Sequence, residues 1–302
     1  MADEPEILEN YPLAEFTTYK VGGPAEKLII PNDIGQLQRS LKIAKENPPL
    51  HIIGGGSNLI IADRGLPGTV VIMRDCCRQL EITDSGVVTA GSGLLLRELV
   101  EAVVERGFTG LEKLSGIPGT LGGALTMNAG AYGAEVSDHL LWVEVLELDG
   151  TVAELKKDEI IFAYRSAPGL QGKIIIRAIF KFVEKNPAEA RKVADEIASL
   201  RESKHPLEYP SAGSVFKRIP EGPAPVFIEQ AGLKGISIGG AQVSTKHANF
   251  IVNRGNARAI EILALARLVQ RVVRERFNLE LQMEQRPLGF TEEEMENPEL
   301  FI

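Results

Sequence analysis

Cysteine is nearly absent from this chain: there are two in 302 residues, and they are neighbours, Cys76 and Cys77. Adjacent cysteines supply neither a disulfide framework nor the spaced pairs of a zinc site, so no metal is expected and both read as small buried side chains. A reducing compartment, the cytoplasm, is the expected setting. The opening residues MADEPEILEN have neither the basic flank nor the apolar core of a secretory signal. No uninterrupted apolar run approaches the roughly 18 residues that suggest a membrane span, so no membrane partner is expected. An excess of positive charge is missing too, and a net charge of -8 argues against a general nucleic-acid binder. The acids gather at the ends, four in residues 1–10 and five in residues 291–302 with no base in either stretch, which leaves the body at +1. The acidic tail is expected to fray.

What the chain has instead is glycine in concentrated runs. Residues 115–133, SGIPGTLGGALTMNAGAYG, hold six glycines and no charged side chain. Such a run offers main-chain N–H groups to something anionic or flat, because few side chains block the approach. A second run, GGGSN at 54–58, follows the apolar segment LHII. A strand followed by glycines invites a dinucleotide-fold reading, but Gly54, Gly56 and Leu59 fail the fingerprint at its third glycine, as do Gly91, Gly93 and Leu96. Neither run matches the phosphate loop of nucleotide triphosphatases.

Periodicity organises the remainder. Asp33 and Gln36 form a capping pair for a helix over 34–46, with Ile34, Leu37, Leu41 and Ala44 on one face. LHII, 50–53, reads as a buried strand, and further strands are expected at 27–30, 69–73 and 87–90. A helix over 94–106 stops at Gly107. Asp149-Gly150 is the turn of a hairpin within WVEVLELDGTVAEL. Residues 173–183 alternate Ile176, Ala178, Phe180 and Phe182 inward against Arg177 and Lys181. Asn186-Pro187 opens another helix, with Ala190, Val193, Ala194, Ile197 and Leu200 inward, and marks a domain boundary. Residues 201–254 carry a local charge of +3, a modest sign of an anionic ligand. A strand is expected at 249–253, after which Asn256 caps the last long helix.

Taken in order, VGGPAEKLIIP, IGGGSNLII, SGIPGTLGGALTMNAGAYG, YR, SAGSVFK, and AGLKG with GGAQVSTKHANFIVN resemble the segments of the UDP-N-acetylenolpyruvoylglucosamine reductases, bacterial flavoenzymes. The match runs from Pro12 to Gly289. The resemblance implies an α+β architecture: an FAD-binding fold of the vanillyl-alcohol oxidase (PCMH) type with subdomains at 1–75 and 76–186, an α+β substrate-binding domain at 187–290, and the acidic tail at 291–302. It implies bound FAD, NADPH as co-substrate, and UDP-N-acetylglucosamine enolpyruvate as substrate. The enolpyruvyl ether would be reduced to the lactyl ether of UDP-N-acetylmuramate, in peptidoglycan synthesis. Only a short piece, 218–225, separates SVFK from the next segment, which implies the shorter type of the family, without a tyrosine-bearing flap. A flavin oxidase of the same fold and a non-catalytic nucleotide-sugar binder are the competing readings. SAGS, KHANFIVN and Glu284 discriminate against the oxidase, since the fold alone does not require them, and the filling of all three catalytic positions argues against the binder.

The resemblance also assigns roles. Hydride delivery to the enolpyruvyl group places negative charge on the neighbouring carbon and its carboxylate. Arg165 would fork onto that carboxylate, Ser214 would give the proton, and Glu284 would orient or protonate the enol. Gly54, Gly55, Gly56, Ser57 and Asn58 are expected at the FAD pyrophosphate. Ser115, Gly116, Pro118, Gly119, Gly122, Gly123, Asn128, Ala129 and Gly130 are expected along the flavin, with the last three near its rings. Tyr164, Lys217, Lys246, Asn249 and Arg286 are the expected substrate contacts. The chain departs from the family pattern where LExE reads Leu281, Gln282, Met283, Glu284, where YRxS reads Tyr164, Arg165, Ser166, Ala167, and where KNP reads Lys217, Arg218, Ile219, Pro220.

Overall fold

The alternation in IIIRAIFK decides the centre of the largest sheet. In the computed structural model, which describes residues 4–302, this segment is the strand Ile174–Lys181. It pairs antiparallel with Leu140–Leu146 on one side and Val87–Gly91 on the other, and Val152–Lys156 and Leu80–Ile82 form the edges of the five strands. Ile176, Ala178, Phe180 and Phe182 are buried as the pattern requires, and Ile175 and Ile179 are buried as well. Both faces are therefore covered along the middle of this strand.

The chain divides into two units. One comprises the segment ending at Leu8, Lys27–Gly55 and Gly68–Arg201; the other comprises Glu9–Glu26, Gly56–Pro67 and Glu202–Ile302. In the first unit, α1 (Ile34–Glu46) starts where Asp33 Oδ1 accepts from Gln36 N at 2.7 Å. Its Leu37 and Leu41 pack with Ile29, Val71, Leu146 and Ile174. The strand Leu50–Ile53 runs parallel to Leu66–Ile72, but only Ile53 is buried and Ile52 is 38% exposed. LHII is an edge strand, so one flank lacks a covering neighbour. The second helix, α2 (Leu96–Glu105), buries Leu96, Leu99, Val100, Val103 and Val104, the expected stripe, in a core with Val88, Ala90 and Phe180. The short α3 (Leu121–Thr126) lies inside the long glycine run. Asn186 Oδ1 accepts from Ala188 N at 3.0 Å to open α4 (Pro187–Lys204), whose fully buried residues are Ala190 and Ala194 only.

The second unit has a three-stranded antiparallel sheet, Ser237–Ile238, Ala241–Val243 and Ile251–Asn253, and the helices α5 (Ala224–Gln230) and α6 (Ala259–Phe277). The start of α6 differs from expectation, since its cap residue is Arg258 rather than Asn256. The acceptor comes from far away in sequence: Asp63 takes Ala259 N on Oδ1 at 2.8 Å and Ile260 N on Oδ2 at 3.1 Å. Glu261 closes the turn from inside, accepting from Gly240 N at 2.9 Å and Arg258 N at 3.0 Å. The acidic tail is ordered rather than frayed. Thr291 caps α7 (Glu292–Glu296), Arg64 pairs with Glu294 at 2.6 Å, and Arg267 Nε donates to Met295 O at 3.1 Å. Carboxylates in the first turn of α7 also suit the positive end of its dipole.

Glu261 is 7% exposed. Burial opposes its ionisation, yet the N–H groups of Arg258 and Gly240 and the Arg258 guanidinium hold its carboxyl below the usual range. A depressed folded-state pKa stabilises above the unfolded value, and the gain is lost as pH falls through the folded value. Glu261→Gln is expected to cost about 1–3 kcal/mol at neutral pH. Urea unfolding should show the gap to the wild type narrowing in acid, and an equal gap at every pH would exclude the charged contact as its source.

Candidate active site

Within the first unit the two glycine runs meet main chain to main chain. A Cβ placed on Gly55 falls 2.7 Å from Gly119 Cα and 3.2 Å from Thr120 N, and one on Gly54 runs into Thr120 Oγ1. Only glycine permits that approach. Among the described residues, the N–H groups of Gly54, Gly55 and Gly119 donate to no other group. Main-chain donors left unpaired along a seam without side chains fit an anionic diphosphate such as that of FAD. Gly123, inside α3, is different: its Cβ position meets only Thr120 Oγ1, at 3.6 Å. Gly56, Ser57 and Asn58 belong to the second unit.

Asn128 organises the far end of the long run. It is fully buried at φ +42°, and its Nδ2 donates to Glu135 Oε2 at 2.6 Å and to Ala163 O at 3.3 Å, while Oδ1 accepts from Ser137 Oγ at 2.8 Å. Its side chain is thus spent on holding the loop. Ala163 in turn exchanges backbone hydrogen bonds with Ser166 at 2.9 and 3.1 Å, which leaves Tyr164 and Arg165 at the tip of a two-residue turn. Arg165 has φ +56°, a left-handed conformation uncommon outside glycine. Its guanidinium carbon lies 5.1 Å from the Tyr164 ring centroid, and Nη1 is 3.3 Å from the Cβ position of Gly130. The structure therefore brings Arg165, Tyr164, Asn128 and Gly130 together.

Arg201 joins this group and was not expected there. It sits in the last turn of α4, with Cδ 3.0 Å from the Cβ position of Gly116 and a buried Nε that has no hydrogen-bond partner. Burial lowers its pKa; Tyr132 opposes that shift and the Arg165 charge adds to it. The two guanidinium groups lie beside Gly116 and Gly130 of the long glycine run, and like charges so placed repel unless an anion lies between them. The only sign in the sequence was the positive balance that begins at residue 201.

In the second unit, the segment from Ser214 to Lys217 runs antiparallel to Gln282–Gln285. Glu284 N donates to Val215 O at 2.8 Å, Lys217 N donates to Gln282 O at 2.9 Å, and Phe216 bridges Met283. This register sets Glu284 opposite Val215 and puts Ser214 one position further on, opposite Gln285, whereas Glu280 faces Arg274 at 3.8 Å. Gln285 fixes the Ser214 loop: its Nε2 donates to Ala212 O and Gly213 O, both at 3.1 Å, and its Oε1 accepts from Tyr19 Oη at 3.0 Å. Asn58 Nδ2 donates to Glu284 O at 3.0 Å, and Arg286 N donates to Asn58 O at 2.9 Å. Asn58 is thus held to the Glu284 segment within the second unit. Asn249 serves structure: its Oδ1 accepts from Phe216 N at 3.0 Å and its Nδ2 donates to Phe216 O at 2.9 Å. Lys246 Nζ donates to Glu202 O at 2.7 Å, and Arg286 is exposed.

The FAD binding domain family matches residues 25–156, and the family described as UDP-N-acetylenolpyruvoylglucosamine reductase, C-terminal domain, matches residues 205–288. The UDP-N-acetylenolpyruvoylglucosamine reductase of Latilactobacillus sakei subsp. sakei is 42% identical over 286 residues, 94% of this chain and 93% of that protein. The chain belongs to the UDP-N-acetylenolpyruvoylglucosamine reductase family. The reductase of Listeria monocytogenes serotype 4a is 43% identical over 284 residues, 93% of this chain and 94% of that one. The crystal structure of the reductase (MurB) from Thermus caldophilus matches with a TM-score of 0.79 at 34% identity, covering 94% of this chain and 98% of that one. As a member of the reductase family this chain keeps segment 218–225 short: Ile219 and Gly222 exchange backbone bonds at 3.2 and 3.1 Å, and α5 follows at once. Among the described residues, no cluster of three or more His, Cys, Asp or Glu could hold a metal, and no helix is long and apolar enough to cross a membrane.

Alanine separates the two kinds of glycine. Gly55→Ala is expected to part the seam and weaken FAD binding by about tenfold or more. Gly123→Ala, in open helical surroundings, should leave FAD affinity unchanged and raise stability by up to about 1 kcal/mol. Fluorescence titration with FAD and thermal melts check both, and equal FAD affinity in the two variants would remove the seam from cofactor binding.

Proposed function

We propose that this chain is an FAD-dependent oxidoreductase that uses NADPH to reduce UDP-N-acetylglucosamine enolpyruvate to UDP-N-acetylmuramate, for peptidoglycan synthesis in the cytoplasm. Family membership over nearly the whole chain carries the reading, and the backbone pairing that runs the Ser214 segment along the Glu284 segment supports it. Bound FAD, held by the Gly54–Gly55 and Gly119 main chain, supplies the hydride relay between NADPH and substrate.

The chain's own residues manage charge and the proton. Arg165, presented at a turn tip, forks onto the enolpyruvyl carboxylate, where negative charge accumulates. Arg201 supplies the second cation of that anion site. Ser214 gives the proton to the carbon next to the carboxylate, a weak acid matched to a very basic acceptor. Glu284 orients the enol. It must be protonated or tied to a cation while it does so, because a second free carboxylate there would repel the developing charge. Gln285, through its grip on Ala212 and Gly213, positions Ser214. A flavin oxidase of the same fold would have no task for the Ser214 and Glu284 pair.

In stopped-flow measurements, Ser214→Ala is expected to let NADPH bleach the flavin at the normal rate while slowing reoxidation by the enolpyruvyl substrate by roughly 10²–10⁴-fold. Normal reoxidation would remove Ser214 from proton donation. Arg201→Met should keep the reductive half and raise KM for the enolpyruvyl substrate by roughly ten- to a hundredfold, the loss of one charge-assisted contact. An unchanged KM would leave Arg201 a structural residue.

A further inference from the structure

The two cysteines are a neighbouring pair of thiols that the proposed reaction leaves unused. Both are buried, Cys76 completely and Cys77 at 8% exposure, within the core that holds Ile29, Met73, Leu146 and Ile174. Their Sγ atoms lie 3.0 Å apart. Cys77 has φ +55°, a left-handed conformation rare for a residue with a Cβ. Successive Cα atoms are ~3.8 Å apart, less than the ~4.4–6.8 Å that an ordinary disulfide spans. A bond between these sulfurs therefore closes a small strained ring, and strained disulfides are the labile, readily reduced ones. The hydrogen bond between the two sulfurs and burial hold the Cys76 thiol above its usual range, and the same hydrogen bond pulls Cys77 down.

The pair is one layer from the glycine seam. Gly93 N donates to Cys77 O at 3.1 Å, and a Cβ on Gly93 would run into Cys76 O. On either side of Gly93, Ser92 O accepts from Gly122 N and Leu94 O accepts from Leu121 N, both at 2.8 Å. Any change in the Cys76-Cys77 peptide is thereby passed through one strand end into the run at 115–133.

We propose that Cys76 and Cys77 form a reversible dithiol–disulfide pair that takes small disulfide oxidants, and that closing it loosens the glycine seam. The Cys77 thiolate attacks one sulfur of the oxidant, forming a mixed disulfide and expelling one thiolate. Cys76 then loses its proton and attacks the Cys77 sulfur, forming the Cys76–Cys77 bond and expelling the second thiolate. The two cysteines lose two electrons and two protons, and the oxidant leaves as two thiols. The effect on the seam rests on the reading of that seam as the FAD site, while the thiol chemistry does not.

The flavin-loaded protein is treated with oxidised glutathione, and its thiols and intact mass are measured after denaturation. Because the chain holds only these two cysteines, the count is unambiguous. The expected result is loss of both thiols together, a mass lower by two hydrogens, no crosslinked dimer, full return with dithiothreitol, and about tenfold weaker FAD binding while oxidised. Two surviving thiols, a retained glutathione adduct or an intermolecular crosslink would overturn the pair. A closed disulfide with unchanged FAD affinity would overturn the link to the seam and leave the flavin reading intact, whereas failure to bind FAD in either state would sink the link and the flavin reading together. Cys76→Ser should retain a glutathione adduct instead of losing mass. Should that variant fail to fold, phenylarsine oxide on the wild type decides: one equivalent bound and released by a dithiol but not by a monothiol is expected, and no binding overturns the proposal.

Discussion

Main chain touches main chain at Gly55 and Gly119, and the rest of the first unit is arranged to make that contact possible. Two loops can approach so closely only if neither carries a Cβ at the crossing, and the unpaired N–H groups left there have no water-filled alternative once a ligand covers them. The requirement propagates outward. Gly122 must reach Ser92, Ser92 lies between two glycines pressed on the cysteine carbonyls, and the whole stack rests on the five-stranded sheet. Each layer is thin because the one above it is thin.

Polar side chains do the corresponding work where glycine cannot. Asn128 holds the base of the Arg165 turn, Gln285 holds the loop before Ser214, and Asn249 holds the segment after it. In each case an amide uses its donor and its acceptor on neighbouring groups, so that the backbone of the loop is set by buried side chains. Buried amides satisfied on both ends specify one arrangement of a loop more sharply than apolar contact does.

Much of this was legible in the sequence and some of it was not, for physical reasons. Local rules wrote the helices: the Asp33 cap, the α2 stripe and the alternation of Ile174–Lys181 depend only on near neighbours. The glycine runs announced an unusual meeting of main chain, and the motifs of the reductase family identified the family to which the chain belongs. What escaped depends on contacts distant in sequence. The edge position of Leu50–Ile53, the capping of α6 by Asp63, and the ordering of the tail by Arg64 and Arg267 are pairings no window of neighbours contains. Arg201 escaped because one arginine on a polar helix looks like any solvated one until its buried Nε is seen.

The Asp63 cap and the parallel pairing of Leu59–Ile61 with Arg286–Leu288 also bear on how the protein is made. A ribosome delivers residues 56–67 long before residues 259–288 exist. Until the last stretch emerges, Asp63 has no helix to cap and Leu59–Ile61 has no partner strand. The first unit, by contrast, is closed by residue 201. Synthesis therefore yields one finished unit and one that waits, with the Leu59–Ile61 strand lacking its Arg286–Leu288 partner for the length of about two hundred additions, the interval in which chaperones act on nascent chains.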